Sequence, residues 1–123
     1  MEILCPGSLA ELEDMLEYAV LNHQGPIAVR YPRGGDKSYT GCHWEPGTQL
    51  VCHRQGRAMT ILTYGTLLEN ATEAADILSK SGIEATVLRL CSITDLDAAE
   101  IAARMSGSRL LVLEEVSGGT GIA

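Results

Sequence analysis

From Ala58 to Glu114 the sequence alternates short apolar runs with longer stretches whose apolar residues recur at helical spacing. The order reads strand 58–64, helix 67–81, strand 84–90, helix 95–105 and strand 109–114. That alternation restricts the chain to an α/β fold, a parallel sheet with right-handed crossovers and flanking helices. Leu67, Leu68, Ala71, Ala74, Ala75 and Leu78 give the first helix its buried face, and Gly82 ends it with a residue that tolerates left-handed backbone. Thr94 and Asp97 have the spacing of a capping box for the second helix. After the last strand, Gly118-Gly119-Thr120-Gly121 reads as a strand-to-helix turn, because it lacks the glycine spacing and the lysine of phosphate loops. The chain ends at Ala123, where that helix would begin, so the expectation is of a truncated unit.

The first part of the chain carries one more strand, helix and strand. Residues 2–5 read as a strand and Pro6-Gly7-Ser8 as a turn, with Ser8 and Glu11 spaced as a capping box. Leu9, Leu12, Met15, Leu16, Ala19 and Val20 form an apolar helical face, and the helix is expected to run to Asn22 and feed a strand at 27–31. Between them and the regular part, residues 36–57 have no clear period and read as a linker, with a short hairpin through Leu50 to His53 and Trp44 as its anchor in a groove. The expected organisation is 1–35, the end of one α/β unit, 36–57, a linker, and 58–123, a second unit.

A chain of 123 residues can bury one core or parts of two. Its net charge of −7 disfavours nucleic acid, which needs a basic surface. No stretch has the apolar length of a membrane span and the start Met-Glu-Ile-Leu lacks the basic region of a signal peptide, so a cytoplasmic location is expected. Cys5, Cys42, Cys52 and Cys91 are scattered and read as reduced thiols. Cys42-His43 and Cys52-His53 raise the question of a metal, but neighbours on extended backbone point to opposite faces, so each pair could offer one ligand only.

The run Gly25-Pro26-Ile27-Ala28-Val29-Arg30-Tyr31-Pro32-Arg33-Gly34 brings two guanidinium groups to the end of a buried strand. Ligands of open α/β sheets sit beyond the carboxyl ends of strands, and arginine grips phosphate or carboxylate in a bidentate fork. Surface ion pairing in an acidic chain accounts for the same two residues, and both readings stand on the residues alone.

That run resembles the motif ending the pyrimidine-binding domain of the 1-deoxy-D-xylulose-5-phosphate synthase family, within the transketolase superfamily. The similarity continues in order through Leu4-Cys5-Pro6-Gly7-Ser8-Leu9-Ala10-Glu11-Leu12, Thr60-Ile61-Leu62-Thr63-Tyr64-Gly65-Thr66, Ala74-Ala75, Gly82-Ile83, Leu96-Asp97 and Val112-Leu113-Glu114-Glu115, up to the glycine-rich end. The resemblance implies a transketolase C-terminal-domain-like α/β fold, preceded by a βαβ piece of a second α/β domain. It implies a thiamine-diphosphate and Mg2+ enzyme, a homodimer, that joins pyruvate to glyceraldehyde 3-phosphate for isoprenoid and thiamine precursor biosynthesis. Among this chain's residues it assigns the substrate phosphate to Arg33, with Arg30 supporting the turn or domain interface and Tyr31 packed beneath it. Glu114 and Glu115 take structural or interface duty. The family's Gly-Asp-Gly for magnesium diphosphate is absent here and neither Glu11 nor Glu13 stands where its activating Glu would fall, so this chain alone is expected to be catalytically silent and to bind no cofactor. It also departs from the family at Cys91, Thr94 and Asp95, where an Arg or Asn and then Lys-Pro are usual. The competing readings are a transketolase or the β subunit of a 2-oxo acid dehydrogenase, and a non-catalytic α/β module for dimerisation or metabolite sensing.

Overall fold

A computed structural model describes residues 1–31, 43–116 and 121–123. The first unit is β1 (Glu2–Leu4), α1 (Leu9–Leu21) and β2 (Ile27–Val29), with the two strands parallel and Leu4 opposite Val29. Ser8 caps α1, its Oγ accepting from Glu11 N at 3.2 Å. The Glu11 carboxylate reaches back to the turn ahead of the helix, accepting from Gly7 N (2.9 Å).

Only half of the apolar face expected of α1 packs: Met15 is buried and Leu12 and Ala19 are half-buried. Glu11 and Met15 are buried, with Tyr18 half-buried one turn on, whereas Leu9, Leu16, Val20 and Leu21 are exposed. Positions 11, 15 and 18 form a stripe of their own at helical spacing, rotated from the leucine stripe. What turns it inward is a charged partner, described below, that periodicity of apolar residues cannot reveal.

The second unit is a four-stranded sheet in the order β3-β5-β4-β6. Its strands are β3 (Leu50–Arg54), β4 (Met59–Tyr64), β5 (Ala85–Leu90) and β6 (Leu110–Leu113), with α2 (Leu68–Lys80) and α3 (Ala98–Arg104) between the last three. β4, β5 and β6 pair in parallel, as the alternation requires. β3 lies within the stretch read as linker and forms no local hairpin; it is an antiparallel edge strand on β5, Leu50 opposite Leu90. Its partner lies about forty residues further along, out of reach of a local reading.

All six residues of β5 are buried, so it is the centre of the core. One face of the sheet packs Ile61, Ala85 and Val87 under Leu68, Ala71 and Ala75 of α2, small residues that let the helix sit close. The opposite face joins Leu62, Tyr64, Leu88 and Leu90 to Leu96, Ile101 and Ile122. α3 is capped by Asp97, whose side chain accepts from Ala99 N and Glu100 N. Thr94 is therefore not the cap. Its Oγ1 takes Ile3 N (2.8 Å) and so ties the two units. Asp95 adopts φ +49°, a conformation that proline cannot reach, and Gln49 holds this loop by donating to Thr94 O and accepting from Asp97 N.

The units meet along β1. Leu4 bridges Ser92, Cys5 N donates to Cys91 O (2.7 Å) and Ile93 N to Ile3 O (3.1 Å). Trp44 is buried with Leu4, Met15 and Cys91, edge-on to Tyr18 at 5.3 Å, and its Nε1 donates to Thr48 O. It anchors the crossing segment as expected of a lone large aromatic. Cys5, Cys52 and Cys91 are free thiols, and burial pushes Cys5 and Cys91 up to about 11, which keeps both inert; Cys42 lies outside the described residues.

Candidate functional site

The carboxyl ends of β2, β4 and β6 converge on a cleft of about 140 Å³ whose walls include Cys5, Arg30, Tyr31, Tyr64, Thr66 and Glu115. Arg30 reaches across it. Its backbone N–H extends the β1–β2 ladder by donating to Leu4 O (2.8 Å), its Nη2 donates to Glu115 O (3.2 Å), and its guanidinium lies 5.1 Å from the centre of the Tyr64 ring. The contact with Tyr64, stronger than the partial burial that opposes it, raises its pKa further and keeps it cationic.

Tyr31 does not pack beneath Arg30. It is 65% exposed, because successive residues on extended backbone diverge, and the ring under the guanidinium belongs to Tyr64. Arg33 lies outside the described residues, as do Gly118, Gly119 and Thr120. Glu114 and Glu115 diverge: Glu114 turns inward, accepting from Ile122 N (2.8 Å) and from the Tyr64 hydroxyl (3.5 Å), while exposed Glu115 lends its carbonyl to Arg30.

A larger hollow of about 350 Å³ lies between Met1, Trp44, Gln49 and Asp95. Two of its polar side chains are already committed, Glu2 to His23 and Tyr18 and Gln49 to the 94–97 loop. Of the Cys-His pairs, Cys42 lies outside the described residues; His43 pairs with Asp14 (3.0 Å), His53 accepts from Arg89, and among the described residues no three His, Cys, Asp or Glu side chains converge.

Sequence reasoning missed Arg89. It sits mid-strand in β5, 1% exposed, donating through Nη2 to Glu11 Oε1 (2.5 Å) and through Nε to His53 Nε2 (3.1 Å). Gly7 packs closely here: a Cβ at that position would lie 3.2 Å from Arg89 Nη1. Burial and the adjacent guanidinium push the pKa of His53 down to about 4, so the imidazole is neutral and accepts from Arg89. This cluster clamps α1 onto the second sheet. The one signal for it in the sequence is a basic residue inside an otherwise uncharged strand.

Residues 48–123 match the family model of the transketolase C-terminal domain. Curated relatives match nearly the whole chain: the 1-deoxy-D-xylulose-5-phosphate synthase of Desulforudis audaxviator is 38% identical over 98% of this chain, and that of Thiobacillus denitrificans 39% over 98%. The chain spans about one fifth of the length of these relatives (20% of each). Among solved structures, a split-gene transketolase described as an inactive beta4 tetramer superposes with TM-score 0.78 at 27% identity, covering 97% of this chain and 41% of that one. A Pichia stipitis transketolase superposes with TM-score 0.74 at 16% identity over 97% of this chain and 19% of that one, which bears on the fold alone.

Proposed function

The chain belongs to the transketolase C-terminal domain family, and we propose that it is part of a thiamine-diphosphate-dependent 1-deoxy-D-xylulose-5-phosphate synthase. The observation that carries this reading is identity of 33–39% to synthases of that name across the full chain, including the segment ahead of the C-terminal domain. The reaction joins pyruvate and glyceraldehyde 3-phosphate with loss of CO2, towards isoprenoid and thiamine precursors. Thiamine diphosphate with Mg2+ supplies the carbanion chemistry in such an enzyme, and residues outside this chain would hold it.

In this reading, residues 1–35 end the pyrimidine-binding domain and the C-terminal domain follows the crossing segment. Arg33 holds the acceptor's phosphate through charge-assisted hydrogen bonds, and Arg30 supports the turn that presents it from the second unit's strand ends. Tyr31 forms part of the cleft wall. The chain alone is catalytically silent and self-associates, as the inactive tetramer of the split-gene transketolase does, and the intact enzyme is a cytoplasmic homodimer. No helix among the described residues is long and apolar enough to cross a membrane, which accords with that placement.

Steady-state kinetics of the enzyme expressed from the full reading frame test the assignment of Arg33. Arg33→Ala is expected to lower kcat/KM for glyceraldehyde 3-phosphate by about ten- to a hundredfold, the worth of a hydrogen-bonded charge, with pyruvate much less affected. Arg33→Lys recovers part of the loss, because a point charge cannot reproduce the fork. Unchanged constants for glyceraldehyde 3-phosphate would leave Arg33 as a surface ion-pair residue.

A further inference from the structure

We propose that one side of α1, the arc formed by Leu9, Leu12, Leu16 and Val20, is the docking surface for a second helix that belongs to the same polypeptide outside these 123 residues. The inference rests on the reading of the chain as one fifth of a longer synthase (20% of each relative). At about 100° per residue, the four side chains fall within roughly 80° of the helix circumference. Their spacing of three, four and four residues is that of a seam that takes the side chains of another helix. The arc runs on from the packed face, since Leu12 is half-buried, whereas Leu9, Leu16 and Val20 are 54%, 45% and 78% exposed. Together they line a shallow hollow of about 540 Å³, rimmed by Glu13 and Glu17. Contiguous apolar surface with a charged rim marks an interface rather than a solvated face.

The open edge of the first sheet identifies the occupant. On its far side β1 meets the second unit, through Cys5 N to Cys91 O and Ile93 N to Ile3 O, while the other edge of β2 meets no strand among the described residues. A parallel sheet of two strands buries too little to stand alone, and each further parallel strand brings a crossover helix onto a face of the sheet. α1 abuts the second unit through Glu11, bonded to Arg89, and Met15, clustered with Cys91, and the leucine arc lies on the roughly opposite side of the helix. One added strand and helix at β2 would therefore cover both the open edge and the arc. A second copy of this chain fits less well. α1 carries Glu11, Glu13, Asp14 and Glu17 and no basic residue; Glu11 and Asp14 are engaged by Arg89 and His43, whereas Glu13 and Glu17 are exposed with no ion-pair partner among the described residues. Two α1 helices packed about a twofold axis would set these carboxylates against each other and leave the edge of β2 uncovered. The occupant thus carries Lys or Arg beside its apolar stripe.

Site-specific cross-linking of the protein expressed from the full reading frame tests the docking. With p-benzoylphenylalanine in place of Val20, irradiation is expected to give a link within one chain, mapped by mass spectrometry to a helix-forming segment outside these 123 residues that contains Lys or Arg. Val20→Cys keeps the inference testable if the bulky side chain prevents folding: the introduced thiol should react with a maleimide at least about tenfold more slowly in the native protein than in urea. A link to a second copy, seen at twice the chain mass, or a thiol at position 20 as reactive in the native as in the unfolded protein, would overturn the inference. The same preparations are assayed for 1-deoxy-D-xylulose 5-phosphate. No product from the parent protein removes the functional reading and leaves the link to decide the docking; product together with an unprotected thiol removes the docking alone.

Discussion

Arg89→Met in this chain is expected to lower the free energy of unfolding by about 3–5 kcal/mol, because it strands the Glu11 carboxylate without its cation. Both side chains are almost fully enclosed, 1% and 3% exposed, so water cannot replace the lost partner. Glu11→Leu should cost a similar amount for the mirrored reason. The double replacement should recover most of the loss, since two apolar residues of similar volume avoid the desolvation that the pair suffers. Arg89 Nη1 has no partner among the described residues, which further weakens the case that the pair adds net stability. Urea denaturation of the four proteins checks this; single-variant losses below about 1 kcal/mol would mean that the cluster is more open to water than its burial implies. The same cluster makes stability depend on pH. His53 titrates near 4 when folded and near 6.5 when unfolded, so the unfolded chain takes up a proton first and stability falls as pH drops from about 6.5 to about 4. His53→Gln should flatten that part of the profile relative to the parent.

Gly107→Ala is the second large expected loss, about 2–4 kcal/mol. Gly107 has φ +72°, and a Cβ there would overlap the Ala58 carbonyl, so backbone rather than a flexible side chain must yield. The turn it makes is locked on both sides: Ser106 N donates to Thr60 Oγ1 (2.8 Å), Thr60 Oγ1 to Ser106 O (3.1 Å) and Thr60 N to Arg109 O (2.9 Å). Those contacts deliver β6 beside β4 in register, Thr60 opposite Leu110, and thereby set where Glu114 emerges. Gly82 is the control. Its φ is +77° but nothing lies within 4 Å of its Cβ position, so Gly82→Ala should cost only the positive-φ term of about 1 kcal/mol. Equal melting temperatures for the two variants would contradict the packing argument.

The parts of this fold that were legible in the sequence are those encoded by neighbours along the chain. The Ser8 cap and the buried face of α2 follow from spacing within one helix, and the parallel pairing of β4 with β5 and β6 follows from the strand-helix-strand alternation, whose crossovers put successive strands side by side. What escaped depends on partners far away. β3 takes its place from a strand about forty residues on, Asp97 rather than Thr94 caps α3 while Thr94 is engaged by Ile3, and α1 turns Glu11 inward because Arg89 waits in β5. At the site, Arg30 was found from its position at a strand end, but its platform was assigned to Tyr31, the adjacent tyrosine, where the fold supplies Tyr64. Glu114 and Glu115 read as a structural pair, and the split of their duties needed coordinates, because it arises from the turn of the backbone after β6.

The most direct test of the proposed function is to express the full reading frame that encodes this chain and supply it with thiamine diphosphate, Mg2+, 13C-labelled pyruvate and glyceraldehyde 3-phosphate. The account predicts labelled CO2 and 1-deoxy-D-xylulose 5-phosphate in equal amounts, with product formation dependent on the phosphorylated acceptor and weakened by Arg33→Ala. A purified, folded protein that makes no such product, or that transfers a two-carbon ketol unit between sugar phosphates and ignores pyruvate, would contradict it.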